Sequence, residues 1–228
     1  MAEDRAAIVT GASSGIGLAV ARALIEDGYG VALAARRADR LEELAQELGE
    51  RALPVPTDVS RRDQVQNLVE RTGKRFGRID VAVTAAGVLR DAPLEQIGEA
   101  EWEETMGTNL KGTYLVAQAA LPHLRAGRGY LITVSSVSGT FGQAGGTAYN
   151  ASKWAVRGFT QSVLQEVRGD GVRATAICPG RVATPMLGAR ADDPDLLVPE
   201  DVADAVRWLL SLRPIVQIKD LILERTTA

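Results

Sequence analysis

The chain has 228 residues, of which 46% are hydrophobic and 24% are charged, enough apolar material for one well-buried domain. Its net charge of −3 gives no basic field that would favour nucleic acid or an anionic membrane. Apolar runs are short and interrupted, and the opening MAEDRAAIVT lacks the pattern of a signal peptide. One cysteine, Cys178, excludes an internal disulfide and points to a reducing compartment. We therefore expect a cytoplasmic protein with neither nucleic acid nor membrane as a partner.

Short β-branched runs alternate with longer amphipathic runs along the whole chain. Strands are predicted at residues 6–10, 30–35, 51–56, 79–85, 129–135, 172–178 and 220–224. Helices are predicted near residues 15–27, 38–48, 61–76, 101–125, 149–168 and 200–211, with Asp39 and Ser60 as N-caps. No repeat or linker divides the chain, so a single domain over residues 1–228 is expected. The alternation predicts an α/β fold, a doubly wound parallel sheet of about seven strands with helices on both faces.

A glycine-rich turn follows the first predicted strand and runs directly into a helix. It reads TGASSGIG, residues 10–17. Glycines let the backbone approach a pyrophosphate, and the N–H groups at the start of the helix attract its charge. The turn is not a P-loop, because no G-K-[ST] follows, and a glycine-rich turn without a ligand is the alternative. Its position favours a phosphate site whose candidate residues are Gly11, Ser13, Ser14, Gly15, Ile16 and Gly17.

The end of the second predicted strand bears on the choice of nucleotide. NAD sites place a carboxylate there for the ribose 2′-hydroxyl, but this chain has Ala34 and Ala35, followed by Arg36 and Arg37. Guanidinium groups suit a 2′-phosphate because their planar fork matches the phosphate oxygens. Two solvated arginines are the alternative. The missing carboxylate favours NADP(H) over NAD(H), with Arg36, which is nearer the strand, as the stronger candidate.

A tyrosine and a lysine four residues apart, Tyr149 and Lys153, share a face of a predicted helix. A phenol titrates near pH ~10, and a neighbouring ammonium lowers that pKa, so Tyr149 could exchange protons with a carbonyl or an alcohol. The spacing alone is a weak signal, since both residues are common on helix surfaces. Ser135 and Ser136 strengthen it because they end the fifth predicted strand, where this fold binds ligands. A polar turn is the alternative for the two serines.

These motifs together resemble the short-chain dehydrogenase/reductase family, and the resemblance covers essentially the whole chain. The family's T-G-x-x-x-G-x-G turn is matched by Thr10, Gly11, Gly15 and Gly17, and its adenine-contacting Asp-Val pair by Asp58 and Val59. The active-site asparagine is matched by Asn109, the serine by Ser136, and the tyrosine–lysine pair by Tyr149 and Lys153. A Pro-Gly turn is matched by Pro179 and Gly180, beyond which Val182 and Thr184 are placed to meet the nicotinamide carboxamide.

The resemblance implies a Rossmann fold and an NADP(H)-dependent oxidoreductase that interconverts a small-molecule ketone or aldehyde with its alcohol. Tyr149 would be the general acid/base, and Ser136 would orient the substrate. Lys153 would lower the pKa of the phenol and bind the nicotinamide ribose, while Asn109 would hold a water that relays protons. A homodimer or homotetramer is also implied, with Trp154 at a subunit contact.

One motif departs from the family, whose usual N-N-A-G after the fourth strand reads TAAG here. Its last three residues, Ala85, Ala86 and Gly87, leave room for the cofactor. Because Ala85 cannot make the hydrogen bonds of an amide side chain, we expect some loss of local rigidity or cofactor affinity without loss of the chemistry.

Alternatives to this interpretation remain at the level of function and of single residues. A nucleotide-sensing regulator without turnover would have no need of the proton-transfer residues, and a redox-silent scaffold would bind no nucleotide. Arg181 could pair with a substrate carboxylate, although an exposed loop arginine is the interpretation we favour. The one histidine, His123, has no cysteine partners, so no metal site is expected. Phe141, Gln143, Met186 and Leu187 are candidates for the pocket lining.

Overall fold

The structure, a computed structural model, describes residues 5–193 and 195–226. Seven parallel strands form one sheet in the order β3-β2-β1-β4-β5-β6-β7. The strands are β1 Ala6–Thr10, β2 Gly30–Ala35, β3 Ala52–Pro56, β4 Val81–Thr84, β5 Tyr130–Val134, β6 Arg173–Pro179 and β7 Asp220–Leu223. The α/β doubly wound fold predicted from the sequence is confirmed, and it is of the Rossmann type.

Helices cover both faces of the sheet and separate its strands in the chain. They are α1 Gly15–Glu26, α2 Ala38–Leu48, α3 Arg62–Phe76, α4 Glu99–Thr105, α5 Gly112–Gly127, α6 Thr147–Val167 and α7 Pro199–Ser211. One apolar cluster joins the sheet to α1, α2 and α7, and a second joins it to α3, α5 and α6. The central strands are buried on both faces, as the continuous apolar sequence of β1 predicts.

The predicted helix over residues 101–125 is three segments in the structure. A π-helical segment, Met106–Lys111, separates α4 from α5 and carries Asn109. A single π-turn of this kind often marks a functional position, because it redirects one carbonyl and one side chain without ending the helix. The prediction of one uninterrupted α-helix was therefore wrong around Asn109.

The two predicted N-caps were also wrong. The N-cap of α2 is Arg37, which leaves Asp39 in the first turn, and the N-cap of α3 is Arg61, one residue after Ser60. The Ser60 hydroxyl and backbone N–H instead donate to Asp58 Oδ1 at 2.7 and 2.9 Å. Asp39 still benefits its helix, because a carboxylate in the first turn interacts favourably with the helix dipole.

Strand register brings the carboxyl ends of the central strands together at one edge of the sheet. Thr10 at the end of β1 pairs with Ala34 of β2 and with Thr84 of β4, and Thr84 pairs with Thr133 of β5. The direction in which successive strands are added reverses between β1 and β4. From β1 to β3 the strands extend the sheet to one side, and from β4 onward they extend it to the other. A crevice forms at such a reversal, so the site is expected above β1 and β4.

Candidate active site

The glycine-rich turn packs so tightly that it leaves no room for side chains at two positions. A Cβ on Gly11, which has a φ of +69°, would lie 2.8 Å from the Ala85 carbonyl oxygen. A Cβ on Gly17 would lie 2.5 Å from the Gly11 carbonyl oxygen. No side chain caps α1 at Ser14, so no side chain of the described residues competes for the N–H groups of its first turn. This arrangement fits a phosphate group at the start of α1.

A cleft of about 340 Å³ extends from this turn across the ends of β1, β2 and β4. Most of the residues predicted to bind the cofactor line it, namely Gly11, Ser13, Ser14, Gly15, Ile16, Gly17, Arg36, Arg37, Asp58, Val59, Ala85, Ala86, Gly87 and Thr184. The structure adds residues that the motif comparison missed, among them Thr57, Val88 and Thr108. Each of the three is next in the sequence to a motif residue, namely Asp58, Gly87 or Asn109. This adjacency could have identified them as candidates from the sequence.

The two arginines after β2 occupy different positions at the end of this cleft. Arg37 donates from Nη2 to Ser13 Oγ at 3.0 Å and so reaches across to the glycine-rich turn. Arg36 lies close enough to Asp58 for its charge to help hold the pKa of that carboxyl below its usual value, although the hydrogen bonds from Ser60 contribute more. Both arginines are exposed, and both line the cleft where β2 ends.

The TAAG turn is held by groups outside the motif. The Thr10 hydroxyl accepts hydrogen bonds from the backbone N–H groups of Ala85 and Ala86, both at 3.1 Å. The Asn109 side chain binds Val88 in both directions, with Oδ1 accepting from the backbone N–H at 2.8 Å and Nδ2 donating to the carbonyl at 3.0 Å. The backbone of this turn is therefore fixed at both ends without an amide side chain at position 85.

A second cavity, of about 280 Å³, contains the predicted catalytic side chains Ser136, Tyr149 and Lys153. It joins the first cleft, since both are lined by Ile16, Ala85, Gly87, Thr184 and Met186. The predicted residues Pro179, Gly180 and Val182 lie on its wall, and so do the candidate lining residues Phe141, Gln143, Met186 and Leu187. Ser135, in contrast, has its hydroxyl turned to the Lys153 carbonyl at 2.8 Å, which braces α6 against the end of β5.

The pKa of Tyr149 is raised by the protein to about 12, which is opposite to the direction predicted from the sequence. Burial of the phenol is the main cause, because it disfavours the charged phenolate. A hydrogen bond with Ser136 lowers the pKa, and the charge of Asp91 raises it further. The Lys153 amine lies 5.5 Å from the centroid of the Tyr149 ring, on the same side of the molecule, but it does not offset the burial.

Lys153 is itself buried, and its amine donates to the Val134 carbonyl at 2.9 Å. Burial of the ammonium lowers its pKa to about 8, from an ordinary value of 10.5. An amine that titrates near pH 8 can hold or release a proton close to neutral pH. The ammonium that was predicted to lower the pKa of Tyr149 is therefore present mainly below about pH 8.

The lowered pKa of Lys153 makes stability depend on pH in a definite direction. Below pH 8 the folded and unfolded chains are both protonated at this lysine, so the folded state carries the full cost of the buried charge. Between pH 8 and about pH 10 the unfolded chain binds more protons, so the free energy of unfolding rises with pH, by about 1.4 kcal/mol per unit at most. Lys153→Met removes this contribution.

We therefore expect the stability difference, wild type minus Lys153→Met, to rise by about 2 kcal/mol between pH 8 and pH 10. Urea unfolding at pH 7, 8, 9 and 10 measures it. Groups common to both proteins cancel in the difference. Lys74→Met, at an exposed lysine on α3, is the matched control and is expected to show no such rise. A difference for Lys153→Met that stays flat, or that falls with pH, would contradict the expectation.

Asn109 lies behind Gly87 and lines neither cavity. A Cβ on Gly87 would meet Asn109 Oδ1 at 3.3 Å and Lys153 Nζ at 3.7 Å, so the two groups flank the same glycine. The amide of Asn109 is occupied by Val88 and also donates to Ser152 Oγ at 3.0 Å. Any role of Asn109 in proton relay therefore falls to its backbone carbonyl, which accepts a hydrogen bond from Thr113 Oγ1 at 2.8 Å.

An ion pair that the sequence did not reveal joins α6 to β7 beneath the cavity. Arg157, one turn beyond Lys153, pairs through Nε with Asp220 Oδ1 at 3.0 Å, and Gln161 donates to Asp220 Oδ2 at 2.8 Å. Arg157 also reaches the carbonyl of Gly139, in the turn that follows Ser136, at 3.4 Å. This brace connects the helix that carries Tyr149 to the segment that carries Ser136.

Two further features bear on the kind of protein this is. Within residues 5–193 and 195–226, no cluster of three or more histidine, cysteine, aspartate or glutamate side chains could hold a metal ion. Over the same residues, none of the helices is both long enough and apolar enough to pass through a membrane.

Comparison with known proteins places this arrangement in a family. The sequence model described as short chain dehydrogenase matches residues 5–195. An uncharacterized oxidoreductase of Staphylococcus aureus (strain N315) is 38% identical over 211 residues, which are 91% of each chain. The structure of an alcohol dehydrogenase from the archaeon Thermococcus sibiricus, complexed with 5-hydroxy-NADP, is similar with a TM-score of 0.92 and 35% identity, covering 98% of this chain and 97% of that one.

A further solved structure carries the other nicotinamide dinucleotide. The 3-ketoacyl-(acyl-carrier-protein) reductase from Brucella melitensis, complexed with NADH, is similar with a TM-score of 0.89 and 27% identity, covering 97% of this chain and 96% of that one. The fold and the cleft thus define an α/β oxidoreductase of the Rossmann type. The chain belongs to the short chain dehydrogenase family.

Proposed function

We propose that the protein is an NADP(H)-dependent oxidoreductase that interconverts a ketone or aldehyde with the corresponding alcohol. The observation that carries this proposal is the continuity of two cavities. The cavity that contains Ser136 and Tyr149 opens into the dinucleotide cleft, and the two share five lining residues. A nicotinamide bound at that junction would face a substrate in the second cavity, where Tyr149 lies beside that substrate. Proximity and orientation of this kind are the protein's main contribution to cofactor chemistry.

Tyr149 supplies the proton in the proposed reduction. When bound, the reduced cofactor provides a hydride for the carbonyl carbon. The Tyr149 hydroxyl donates its proton to the carbonyl oxygen, which becomes the hydroxyl of the alcohol. Ser136, whose hydroxyl interacts with the phenol, holds the same oxygen in place. A phenol with a pKa of about 12 is protonated at neutral pH, so it carries the proton that the reduction consumes.

Lys153 and Asn109 restore the proton in this scheme. The Lys153 amine has a pKa of about 8, close to physiological pH, and it lies on the same side of α6 as the phenol. Asn109 is fixed in the π-helical segment, with its carbonyl bound to the Thr113 hydroxyl. We expect that carbonyl, and not the occupied amide, to be the Asn109 group that takes part in proton relay.

The preference for NADP(H) over NAD(H) rests on charge at the adenosine end of the cleft. Arg36 and Arg37 line that end, and Ser13 orients Arg37 from the opposite wall. The end of β2 offers Ala35 where a carboxylate would be needed for a 2′-hydroxyl. Similar solved structures carry either a form of NADP or NADH, so similarity alone does not choose between the cofactors. The proposed preference for NADP(H) is therefore supported by the charges of Arg36 and Arg37.

A nucleotide-sensing regulator without turnover is not favoured. Such a protein needs the dinucleotide cleft but has no use for a buried lysine and a tyrosine at its end. The cytoplasm stays the predicted compartment, where a buried thiol such as Cys178 would remain reduced. A homodimer or homotetramer also stays a prediction, and the exposure of the Trp154 ring, at 48%, supports it.

Binding and turnover, measured on the same preparation, test the proposed function. We expect NADPH fluorescence to increase on binding, with an affinity at least 10-fold higher than that for NADH, because each charge-assisted contact to a phosphate contributes about 1.5–3 kcal/mol. A panel of ketones, aldehydes, hydroxy acids and sugars, followed by absorbance of the reduced nicotinamide, then identifies turnover. Tight cofactor binding without turnover of any carbonyl would favour the regulator, and absence of binding would favour the redox-silent scaffold.

A further inference from the structure

One charged side chain on the wall of the catalytic cavity has no part in the chemistry proposed above. Arg181 follows the Pro-Gly turn at the end of β6 and lines the cavity together with Ser136 and Tyr149. Its side chain is exposed, and the described part of the chain offers it neither an ion pair nor a side-chain hydrogen bond. The cavity that contains Ser136 and Tyr149 therefore has on its wall an arginine whose donors are not used by the described residues.

The backbone of Arg181 is fixed on both sides, so the fold sets the point on the cavity wall from which this side chain extends. The Gly180 N–H donates to the Leu223 carbonyl at 2.7 Å, which ties the turn to β7. The Arg181 carbonyl accepts from the Leu197 N–H at 3.1 Å, and the Ala183 N–H donates to the Leu197 carbonyl at 2.8 Å. An arginine in a flexible loop would have no such support. Preorganisation of this kind reduces the entropy lost when a ligand binds.

The other charged groups of the cavity are already engaged. The Lys153 amine donates to the Val134 carbonyl at 2.9 Å, and Asp91 interacts with another group of the protein. Phe141, Met186 and Leu187 make up much of the remaining wall. Of the charged residues that line this cavity and are described, Arg181 is thus the exposed cation that a substrate anion can reach.

We propose that the substrate carries a carboxylate, and that Arg181 binds it while Tyr149 and Ser136 bind the carbonyl or hydroxyl group. The inference rests on the proposed function and defines its substrate class as small oxo acids and hydroxy acids. A planar guanidinium matches a carboxylate through two parallel hydrogen bonds. A phosphate ester fits less well, because Asp91 on the same wall repels any anion, and it repels a dianion more strongly than a monoanion.

The test compares oxo acids with their methyl esters, which keep the shape but lose the charge. Three acids, pyruvate, acetoacetate and levulinate, are each compared with their methyl ester. In this order the carboxylate of the acid lies further from the ketone carbonyl. We expect wild type to prefer at least one acid over its ester by 10-fold or more in kcat/KM. Arg181→Gln should lower kcat/KM for that acid by about 10- to 100-fold, mainly through KM, and should change the ester by less than 3-fold.

Two further variants separate charge from fold. Arg181→Lys keeps the charge without the fork and should recover part of the acid preference, and it replaces Arg181→Gln if the latter fails to fold. Arg168→Gln, at an exposed arginine beyond the end of α6, is the matched control and should behave as wild type. Thermal unfolding and NADPH affinity, both unchanged, would show that each variant is folded and loads cofactor.

The outcomes distinguish this inference from the proposed function. If wild type reduces esters as well as acids in all three pairs, or if Arg181→Gln affects both equally, the carboxylate site is wrong while the oxidoreductase stands. Calorimetric binding of the acids to the protein with NADP⁺ gives a readout that does not depend on turnover, and failure of every acid to bind would also reject the site. Failure to bind NADPH would instead reject the proposed function.

Discussion

Replacing Tyr149 with phenylalanine is expected to lower kcat for carbonyl reduction by about 10²- to 10⁴-fold, the range typical for removal of a general acid. The phenol lies beside Ser136 in the cavity and is the proposed proton donor, and phenylalanine keeps the ring without the hydroxyl. Removing a buried hydroxyl leaves the packing of α6 nearly intact, so NADPH affinity should stay within a factor of about three. Steady-state kinetics and NADPH fluorescence on the same protein measure both quantities.

Tyr114→Phe provides the matched control for this change. Tyr114 lies on α5, where its hydroxyl accepts a hydrogen bond from Arg62 at 3.2 Å, away from both cavities. The Tyr114→Phe variant loses a phenolic oxygen, as Tyr149→Phe does, but at a tyrosine that has no proposed catalytic role. It should therefore retain the wild-type kcat. Full activity of Tyr149→Phe, with the control also active, would show that the proton comes from elsewhere and would remove the proposed acid/base.

Replacing Arg36 with glutamate is expected to erase or invert the preference for NADPH. The carboxylate would repel a 2′-phosphate and could accept a hydrogen bond from a 2′-hydroxyl instead. Loss of one charge-assisted contact of about 1.5–3 kcal/mol corresponds to a 10- to 150-fold weaker Kd for NADPH, and repulsion adds to it. Fluorescence titrations with NADPH and NADH measure the ratio directly.

Two variants make this result specific to position. Arg40→Glu introduces the same charge in the first turn of α2, where Arg40 pairs with Glu43 at 3.0 Å and does not line the cleft. This variant should leave the ratio of the NADPH and NADH affinities unchanged. Arg37→Glu should also weaken NADPH binding, because the contact between Arg37 and Ser13 lies at the same end of the cleft. Equal affinity of wild type for the two cofactors would reject the phosphate assignment for both arginines.

Most of the fold could be predicted because its strands are short apolar runs bounded by glycines and charged residues. The observed strands begin and end within two residues of their predicted limits, as β4 at Val81–Thr84 shows against a prediction of 79–85. Parallel strands that are buried on both faces read as continuous hydrophobic runs, which leaves little ambiguity. The carboxyl-end location of the cleft then follows from topology, and the glycine turn marks its phosphate end.

The π-helical segment at Met106–Lys111 could not be predicted from local sequence. Gly107, Thr108 and Asn109 have low helix propensity, but this does not specify a π-turn. The interruption places Asn109 against Val88 and Ser152, which are far away in the chain. Long-range partners of this kind decide local geometry and leave no periodic signal. The hydrogen bond between Arg37 and Ser13 could not be predicted either, since it depends on how the loops after β1 and β2 approach each other.

The direction of the Tyr149 pKa could not be read from spacing either. A lysine four residues away predicts a lowered pKa, but burial of the phenol outweighs that effect and raises the pKa to about 12. Burial also lowers the pKa of Lys153 to about 8, so the two groups depart from their ordinary values in opposite directions. Both shifts depend on desolvation, which becomes known only when the surrounding side chains are placed.

The contacts made by β7 have a consequence for how the protein is synthesised. Leu223 fixes the turn at Gly180, and Asp220 anchors Arg157 behind the catalytic helix. Both partners precede β7 in the chain, and a growing polypeptide leaves the ribosome with its earlier residues first. The nascent chain can therefore assemble its nucleotide-binding half while the substrate side still lacks two of its supports, and catalytic competence should arrive only after this last strand of the sheet has emerged.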